Sequence, residues 1–114
     1  PEAVTRSILQ QLNIDQYFSA VVGGDTTDAR KPDPRPLQYC IDTLGVPVSD
    51  TIMIGDSAVD AGSARALRVK IGLVALGYRH TNLAEIDADF LVEDIASVPE
   101  ILAAQMEQGS ALAC

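Results

Sequence analysis

Apolar residues recur at helical spacing in four segments of the chain. The first helix is predicted over residues 2–12, where the apolar positions share one face: Val4, Ile8, Leu9 and Leu12. A second helix is predicted to begin at Asp33-Pro34, an N-cap residue followed by a proline suited to the first helical position, and to end at Gly45. An alanine-rich third helix follows over residues 57–67, and a fourth carries an apolar stripe over 95–106.

Short apolar runs between these helices predict strands at residues 18–22, 51–54, 71–76 and 90–92. The run at 51–54 is apolar without interruption, which is typical of a strand buried on both faces. Because strands and helices alternate, the pattern predicts an α/β fold with a parallel sheet and helices on both of its faces. We expect one domain over residues 1–108 and a disordered tail over 109–114, where no pattern is present.

Composition narrows the classes of function. The 114 residues include 16 acidic and 8 basic side chains, a net charge of −8, which argues against binding to nucleic acid or to an anionic membrane surface. No apolar run reaches the roughly 18 residues that a membrane-spanning helix needs, and no signal peptide opens the chain. Two cysteines and one histidine make neither a disulfide framework nor a zinc site, so we expect a cytoplasmic protein that uses carboxylates, hydroxyls and a few basic groups.

The most informative polar residues follow the predicted strand at 51–54. Asp56 is separated from that strand only by Gly55, and Asp60 lies four residues further on, so both carboxylates point to one side of a first helical turn. Two neighbouring negative charges are unfavourable unless a cation offsets them, and Mg²⁺ commonly bridges protein carboxylates to a phosphate. The alternative is structural: Asp56 or Ser57 caps the helix and Asp60 complements its dipole. The spacing leaves both interpretations open.

Lys31 is the second candidate, because it lies in a loop that leads into a helix at the same edge of the predicted sheet. Its ammonium group could hold a phosphate or an aspartyl-phosphate oxygen, although most loop lysines are simply solvated. Three other residues are expected to be structural: Asp25 at the end of its strand, Cys40 as a core thiol and His80 in a surface loop.

Two motifs in this order resemble the haloacid dehalogenase superfamily, and within it the phosphoglycolate phosphatase group. They are Lys31-Pro32-Asp33-Pro34 and Ile54-Gly55-Asp56-Ser57 with Asp60, and the similarity runs from Pro1 to about Leu102. The resemblance implies a three-layer, Rossmann-like α/β fold with a mostly parallel sheet. It also implies hydrolysis of a small phosphorylated substrate, 2-phosphoglycolate, with Mg²⁺ and through an aspartyl-phosphate.

The same resemblance implies a role for each matched residue. Lys31 would be catalytic and bind the substrate, steadying both the nucleophile and the transferred phosphoryl group. Asp56 would be catalytic as a magnesium ligand, and Asp60 would act in the outer shell of the metal. Ser57 would support the site by hydrogen bonding. Electrostatic stabilisation of the phosphoryl charge accounts for most of such catalysis.

The chain departs from the family pattern in two places. The Asp-x-Asp motif after an apolar first strand, which carries the family's nucleophile, is absent, and so is the second motif, a Ser or Thr at the end of another strand. Pro1 matches the last residue of the Thr-Asn-Lys-Pro sequence that ends that strand. The chain therefore resembles the C-terminal part of a phosphatase without the first strands and the cap domain, and we expect it to be inactive alone.

The missing strands would lie between the predicted strands at 18–22 and 51–54. Those two strands would either close up against each other or accept another chain, as in a homo-oligomer or a strand-swapped dimer. Other functions remain open: a sugar-phosphate phosphatase, a phosphosugar mutase, a pyrophosphatase, or a non-catalytic module that binds Mg²⁺ or phosphate or only associates. Arg68 also stands where related sequences carry a glycine, which predicts mild strain at the end of the third helix.

Overall fold

A computed structural model describes residues 1–75 and 85–105 of the chain. In these residues, helices and strands alternate in the order α1 (Glu2–Gln11), α2 (Arg35–Leu44), β1 (Ile52–Gly55), α3 (Ala58–Ala66), β2 (Lys70–Val74), β3 (Phe90–Val92) and α4 (Val98–Gln105). Short 3-10 turns precede β1 and α4 and follow α1. The predicted α/β class is confirmed. None of the described helices is long and apolar enough to cross a bilayer.

The three strands form a parallel sheet in the order β1-β2-β3. β2 is its centre, and Ile71 and Leu73 are both fully buried. Successive side chains of a strand point to opposite faces, so Ile71 and Leu73 pack with α2 and α3 on one face, whereas Val74 packs with Val92 and α4 on the other. Helices therefore cover both faces of the sheet, as predicted.

The prediction of a strand at residues 18–22 was wrong for the described chain. Only Ala20 forms a single β-bridge, and the three-stranded sheet does not include the segment. Ala20 and Val21 are nevertheless buried, at 4% and 6% exposure. The segment has the apolar character of a strand, but a strand also needs a neighbour with free backbone groups along its length.

One prediction of burial failed, that for β1, and the apolar face of α1 is largely exposed. Of the apolar face of α1, only Leu9 is buried, whereas the other positions are half or more exposed: Val4 at 52%, Ile8 at 50% and Leu12 at 63%. The residues of β1, predicted to be buried on both faces, are each only partly buried because β1 is the edge strand of the sheet that the described residues form. An apolar face is buried only where a second apolar surface meets it, and here the described residues supply none.

Element boundaries differ slightly from the predictions. α2 begins at Arg35 with Pro34 as its N-cap, but the Asp33 carboxylate still accepts a hydrogen bond from the Arg35 backbone N–H at 2.9 Å. Gly45 ends α2 in the left-handed conformation, as predicted, and Arg68 also has a left-handed φ of 59°. β2 ends at Val74, and α4 begins at Val98 after a 3-10 turn. The predicted tail and His80 lie outside the described residues.

Candidate functional site

Four of the residues singled out from the sequence meet at the carboxyl end of β1: Lys31, Asp56, Ser57 and Asp60. β1 ends at Gly55, two residues form the connection, and α3 begins at Ala58 with Ser57 as its N-cap. The connection passes so close to α3 that a Cβ atom on Gly55 would lie 2.4 Å from the Cβ atom of Asp60. A glycine is therefore required at the end of β1.

Asp60 is the centre of the arrangement and is only 2% exposed. Its Oδ1 atom accepts a hydrogen bond from the Lys31 ammonium at 2.5 Å. Its Oδ2 atom accepts from the backbone N–H groups of Asp56 and Ser57, at 3.0 and 3.2 Å, and from the Ser57 hydroxyl at 3.0 Å. One buried carboxylate thus ties the Lys31 loop to the connection between β1 and α3.

These contacts confirm the helix-capping interpretation for Ser57 and Asp60. Asp60 is the third residue of α3, and its carboxylate accepts the N–H of the N-cap residue, as the acidic partner in a capping box does. The same contacts explain the ionisation of Asp60. Burial alone would raise the pKa of Asp60, but hydrogen bonds from Lys31 and the Asp56 backbone, together with the lysine charge, outweigh it and lower that pKa below its ordinary value.

The Lys31 loop is held against α3 by contacts that sequence analysis missed. The hydroxyl of Ser63, a fully buried side chain, donates a hydrogen bond to the Asp33 carbonyl at 3.1 Å. A Cβ atom on Gly62 would lie 2.9 Å from the Cβ atom of Pro32, so the loop packs directly on the helix backbone. The available signal was the run of small residues over 61–64, which permits such a close approach.

The Asp56 carboxylate differs from the Asp60 carboxylate because it has no hydrogen-bond partner among the described residues. The residue is exposed, and its side chain makes no hydrogen bond or ion pair within residues 1–75 and 85–105. Lys31 lies on the other side of Asp60, with 48% of its side chain exposed. The carboxyl end of β1 thus carries one carboxylate with no partner among the described residues and one partly exposed lysine side chain, whose ammonium group binds the buried Asp60 carboxylate.

This donor set fits a magnesium ion with few protein ligands. No group of three or more metal-binding side chains occurs among the described residues. Both oxygens of Asp60 already accept hydrogen bonds, Oδ1 from Lys31 and Oδ2 from three donors. Asp56 is the carboxylate that would serve as a direct ligand, since Mg²⁺ is commonly held by one or two carboxylates together with waters and substrate phosphate.

The structure does not bring Asp25 into contact with this group. Its Oδ1 atom accepts a hydrogen bond from the Glu2 backbone N–H at 2.7 Å, which lowers the pKa of Asp25 and fixes the start of α1. Gly23 lies directly against the same helix start, where a Cβ atom would meet the Glu2 nitrogen at 2.1 Å. Asp25 is therefore a structural residue, although it anchors a helix rather than merely ending a strand. Cys40 lies on α2 and is only partly buried.

An Asp-x-Asp sequence does occur in the chain, at Asp87 and Asp89, but it lies at the opposite end of the strands from Asp56. It precedes β3 instead of following a strand, and both carboxylates bind Arg65 of α3, at 3.0 and 3.1 Å. The Oδ2 atom of Asp89 also accepts the Ile71 backbone N–H at 2.8 Å. Because both groups are engaged at the amino ends of the strands, they do not contribute to the site at the carboxyl end of β1.

The chain is similar in sequence to proteins of known family. The family model of haloacid dehalogenase-like hydrolases matches residues 2–74. The chain is 37% identical over 102 residues to a phosphoglycolate phosphatase of Rhodospirillum rubrum, covering 90% of the chain and 42% of that protein. It is 35% identical over 103 residues to a phosphoglycolate phosphatase of Cupriavidus necator, covering 90% of the chain and 45% of that protein.

A solved structure shows a similar fold. The crystal structure of a protein described as a predicted phosphoglycolate phosphatase from Haemophilus somnus superposes with a TM-score of 0.80 at 26% identity, covering 89% of this chain and 45% of the other. The chain therefore spans less than half the length of these relatives.

Proposed function

The chain belongs to the haloacid dehalogenase-like hydrolases, and from that premise we propose that it is part of a magnesium-dependent phosphatase whose substrate is 2-phosphoglycolate. One observation carries the proposal: buried Asp60 holds the Lys31 ammonium beside the connection that carries the free Asp56 carboxylate. The relatives named phosphoglycolate phosphatase support the choice of substrate. Because the chain covers less than half of them, the activity is proposed for a larger protein that includes this chain.

Each of the four side chains has a proposed task. Lys31, whose side chain is 48% exposed, binds an oxygen of the phosphoryl group, while Asp60 fixes the position of its ammonium group. Asp56 is the magnesium ligand, and Ser57 keeps the connection in place through Asp60. A bound magnesium ion would supply positive charge to the phosphoryl oxygens. Asp60 is therefore a positioning residue, whereas Lys31 and Asp56 are the catalytic residues.

The aspartate nucleophile is proposed to come from outside this chain. The two carboxylates of the Asp-x-Asp sequence here bind Arg65 at the other rim, and Asp60 is occupied by Lys31. Without a covalent nucleophile the aspartyl-phosphate route is lost altogether, whereas the loss of a supporting group costs only a few kcal/mol. The chain alone should therefore bind Mg²⁺ and phosphate weakly and release no phosphate. We propose a cytoplasmic setting, in keeping with the low cysteine content.

The test uses a chimera in which the part of the R. rubrum phosphatase that this chain does not match is joined ahead of Pro1. Phosphate release from 2-phosphoglycolate with Mg²⁺ is measured for the chimera, for Lys31→Gln and for Asp56→Asn. We expect activity in the chimera and losses of at least about a hundredfold in both variants, as is typical when a group that stabilises transition-state charge is removed.

Asp50→Asn is the matched control, because Asp50 is an exposed aspartate in the 3-10 turn at the other end of β1. It should retain full activity. Parallel assays with a sugar phosphate and with pyrophosphate separate 2-phosphoglycolate from the other substrates of this superfamily. If the folded chimera hydrolyses none of these substrates and the chain still binds Mg²⁺ and phosphate, the phosphatase proposal is wrong. The chain would then be a non-catalytic module that binds these ions.

A further inference from the structure

Ser63 makes a contact next to the site that the proposed function does not use. The residue is fully buried in α3, and its hydroxyl donates a hydrogen bond to the Asp33 carbonyl at 3.1 Å. A serine inside a helix can turn its hydroxyl back to a carbonyl four residues earlier in the same helix. This hydroxyl instead binds a loop that lies 30 residues earlier in the chain. Its hydrogen bond therefore joins α3 to the loop that carries Lys31.

Gly62 provides a second contact with the same loop. A Cβ atom on Gly62 would lie 2.9 Å from the Cβ atom of Pro32, which is too close for both atoms to keep their places. The proline ring is rigid and cannot bend aside as the end of a long side chain can. The loop therefore rests directly on the backbone of α3. We call these four residues the Lys31 seat: Pro32 and Asp33 of the loop with Gly62 and Ser63 of α3.

Helix α3 thus holds Lys31 at two points. Asp60 and Ser63 are three residues apart on the helix and so lie on the same side of it. Asp60 binds the Lys31 ammonium group, whereas Ser63 binds the loop backbone two residues after Lys31. A lysine has a long, flexible side chain, so the position of its ammonium group is defined only when both its backbone and its charged end are held. The seat holds the backbone, and Asp60 holds the charged end.

We propose that Ser63 is a positioning residue for Lys31, because its hydrogen bond to the Asp33 carbonyl keeps the Lys31 backbone where the ammonium group reaches Asp60. Asp60 cannot follow a displaced lysine without losing the three hydrogen bonds that it accepts from the connection between β1 and α3. The position of the loop therefore decides whether the ion pair forms. This effect on the ion pair is independent of the proposed function, whereas its consequence for phosphate binding rests on that function.

A purely structural role for Ser63 makes a different prediction. In that case, removing the hydroxyl would lower the free energy of unfolding but leave Lys31 unchanged in the folded protein. The test must therefore measure Lys31 itself. The chain contains two lysines, Lys31 and Lys70, and Lys70 lies on β2 as the first residue of that strand. Lys70 thus serves as an internal reference in every sample.

The experiment measures acetylation of the folded chain by trace acetic anhydride, with each lysine quantified by mass spectrometry. A lysine nitrogen reacts only when it is free of its proton and its hydrogen bond, so binding to Asp60 slows the reaction of Lys31. Ser63→Ala keeps a residue that suits the helix and removes only the hydroxyl. It should raise the ratio of Lys31 to Lys70 acetylation at least about threefold, in proportion to the loss of one hydrogen bond.

Thr51→Val is the matched control. The Thr51 hydroxyl also donates to a backbone carbonyl, that of Pro47 at 3.0 Å, but it does so before β1 and outside the Lys31 seat. Valine keeps the shape of the side chain and removes this hydrogen bond. The acetylation ratio should therefore equal that of the wild type.

Gly62→Ala tests the seat without removing the hydroxyl. Alanine favours the helix more than glycine does, yet its Cβ atom would displace Pro32. The acetylation ratio should rise as in Ser63→Ala, and the double variant should show no more than the larger single effect, because both changes release the same loop. An unchanged ratio in folded Ser63→Ala, or an equal rise for both lysines, would overturn the proposal. If Ser63→Ala does not fold, an unchanged ratio in Gly62→Ala overturns it.

Phosphate release adds a separate test in the chimera described above. Ser63→Ala should lower kcat/KM for 2-phosphoglycolate at least about threefold, and Thr51→Val should leave it unchanged. Full activity in a Ser63→Ala chimera would contradict the role of Ser63 in positioning Lys31 for the substrate. A chimera that is inactive before any substitution would instead contradict the proposed function, while the acetylation ratios of the chain would still decide the role of Ser63. The two failures are therefore distinguishable.

Discussion

Helix α3 is held at both ends by carboxylates that meet a basic side chain, but the two ends are built in different ways. At its first turn, Asp60 is buried and binds Lys31, whose loop comes from 29 residues earlier in the chain. At its last turn, Arg65 binds Asp87 and Asp89, whose side chains are 83% and 34% exposed. The same kinds of residue thus make a buried network at one end and a largely solvated one at the other.

The difference lies in which groups remain available. At the last turn, Arg65 and the Ile71 N–H engage the carboxylates of Asp87 and Asp89, so the cluster is complete without a ligand. At the first turn, Asp60 accepts hydrogen bonds from Lys31, from Ser57 and from the Asp56 backbone, whereas the Asp56 carboxylate has no partner among the described residues and 48% of the Lys31 side chain is exposed. Availability of a charged group, more than its presence, separates a candidate site from a structural cluster.

The largest effect is expected from removing the buried carboxylate. Asp60→Ala leaves Lys31 and three other donors without their acceptor, and should lower the free energy of unfolding by about 3 kcal/mol. Asp87→Ala, at the other end, breaks an exposed pair and should cost less than about 0.5 kcal/mol. Urea denaturation followed by circular dichroism measures both. Equal losses would mean that the two ends contribute alike and would remove the basis of the comparison.

At the first turn, Asp56→Asn should change the affinity for Mg²⁺ but hardly change the free energy of unfolding. Asp56→Asn replaces a carboxylate that has no partner in the described residues with a neutral amide, so the free energy of unfolding should change by less than about 0.5 kcal/mol. The affinity for Mg²⁺, measured by calorimetric titration in the presence of phosphate, should fall at least about tenfold, because a charged oxygen ligand is lost. Asp50→Asn should change neither quantity. Unchanged magnesium binding in Asp56→Asn would remove Asp56 from the proposed site.

The sequence predicts the positions of the residues at the first turn better than their contacts. The spacing of Asp56 and Asp60 correctly placed both near the first turn of α3, and the position of Lys31 correctly placed it on the same rim. The spacing treated the two carboxylates alike, however. Which of them is free depends on a lysine that reaches Asp60 from a distant loop, and on Ser63 holding that loop. Such long-range contacts leave little trace in local sequence patterns.

The failed fold predictions have a related cause. Periodicity shows which face of α1 is apolar and which residues at 18–22 suit a strand, but it does not show whether the chain supplies a partner for them. The elements whose neighbours are present, β2, α3 and β3, were located within two residues of their observed bounds. Local pattern also located α1 and β1 within one residue of their observed bounds, so what it failed to predict was their burial and the absence of a strand at 18–22.

A third prediction concerns pH and tests the last turn of α3. The hydrogen bond from the Ile71 N–H, the largest influence, lowers the pKa of Asp89 below its ordinary value of 3.8; partial burial opposes this, and Arg65 adds to it. The folded state therefore binds that proton less readily than the unfolded state, so the stabilisation is present above about pH 4 and is lost as the pH falls through the folded pKa.

Asp89→Asn removes this titration while keeping an oxygen that can accept the Ile71 N–H. Unfolding free energies are measured for both proteins in urea from about pH 6 to about pH 2. The wild type should be more stable than the variant at the higher pH, and the difference should shrink as the solution is acidified. A difference that stays constant over this range would contradict the assignment of the shift to Asp89.

The smallest effect is expected just beyond the last turn, where the backbone is strained. Arg68 has a φ of 59°, a conformation that costs a residue with a Cβ atom about 1 kcal/mol, whereas glycine adopts it freely. Arg68→Gly should therefore stabilise the fold by about 0.5 kcal/mol, the remainder being offset by the greater freedom of glycine in the unfolded chain. Arg68→Ala removes the same side chain but keeps the Cβ atom, so it should give no such gain.

Asn13 provides an independent check, because it has a φ of 57° and asparagine tolerates this conformation better than arginine does. Asn13→Gly should stabilise the chain less than Arg68→Gly. Among the described residues, Arg68 and Asn13 are the non-glycine residues with positive φ. The strained backbone next to α3 therefore lies after its last residue, and neither Asp56 nor Ser57 has this strained conformation. Relieving it should leave magnesium affinity unchanged, which calorimetry can check alongside the urea midpoints. A gain from Arg68→Ala equal to that from Arg68→Gly would assign the effect to the lost charge and not to the backbone.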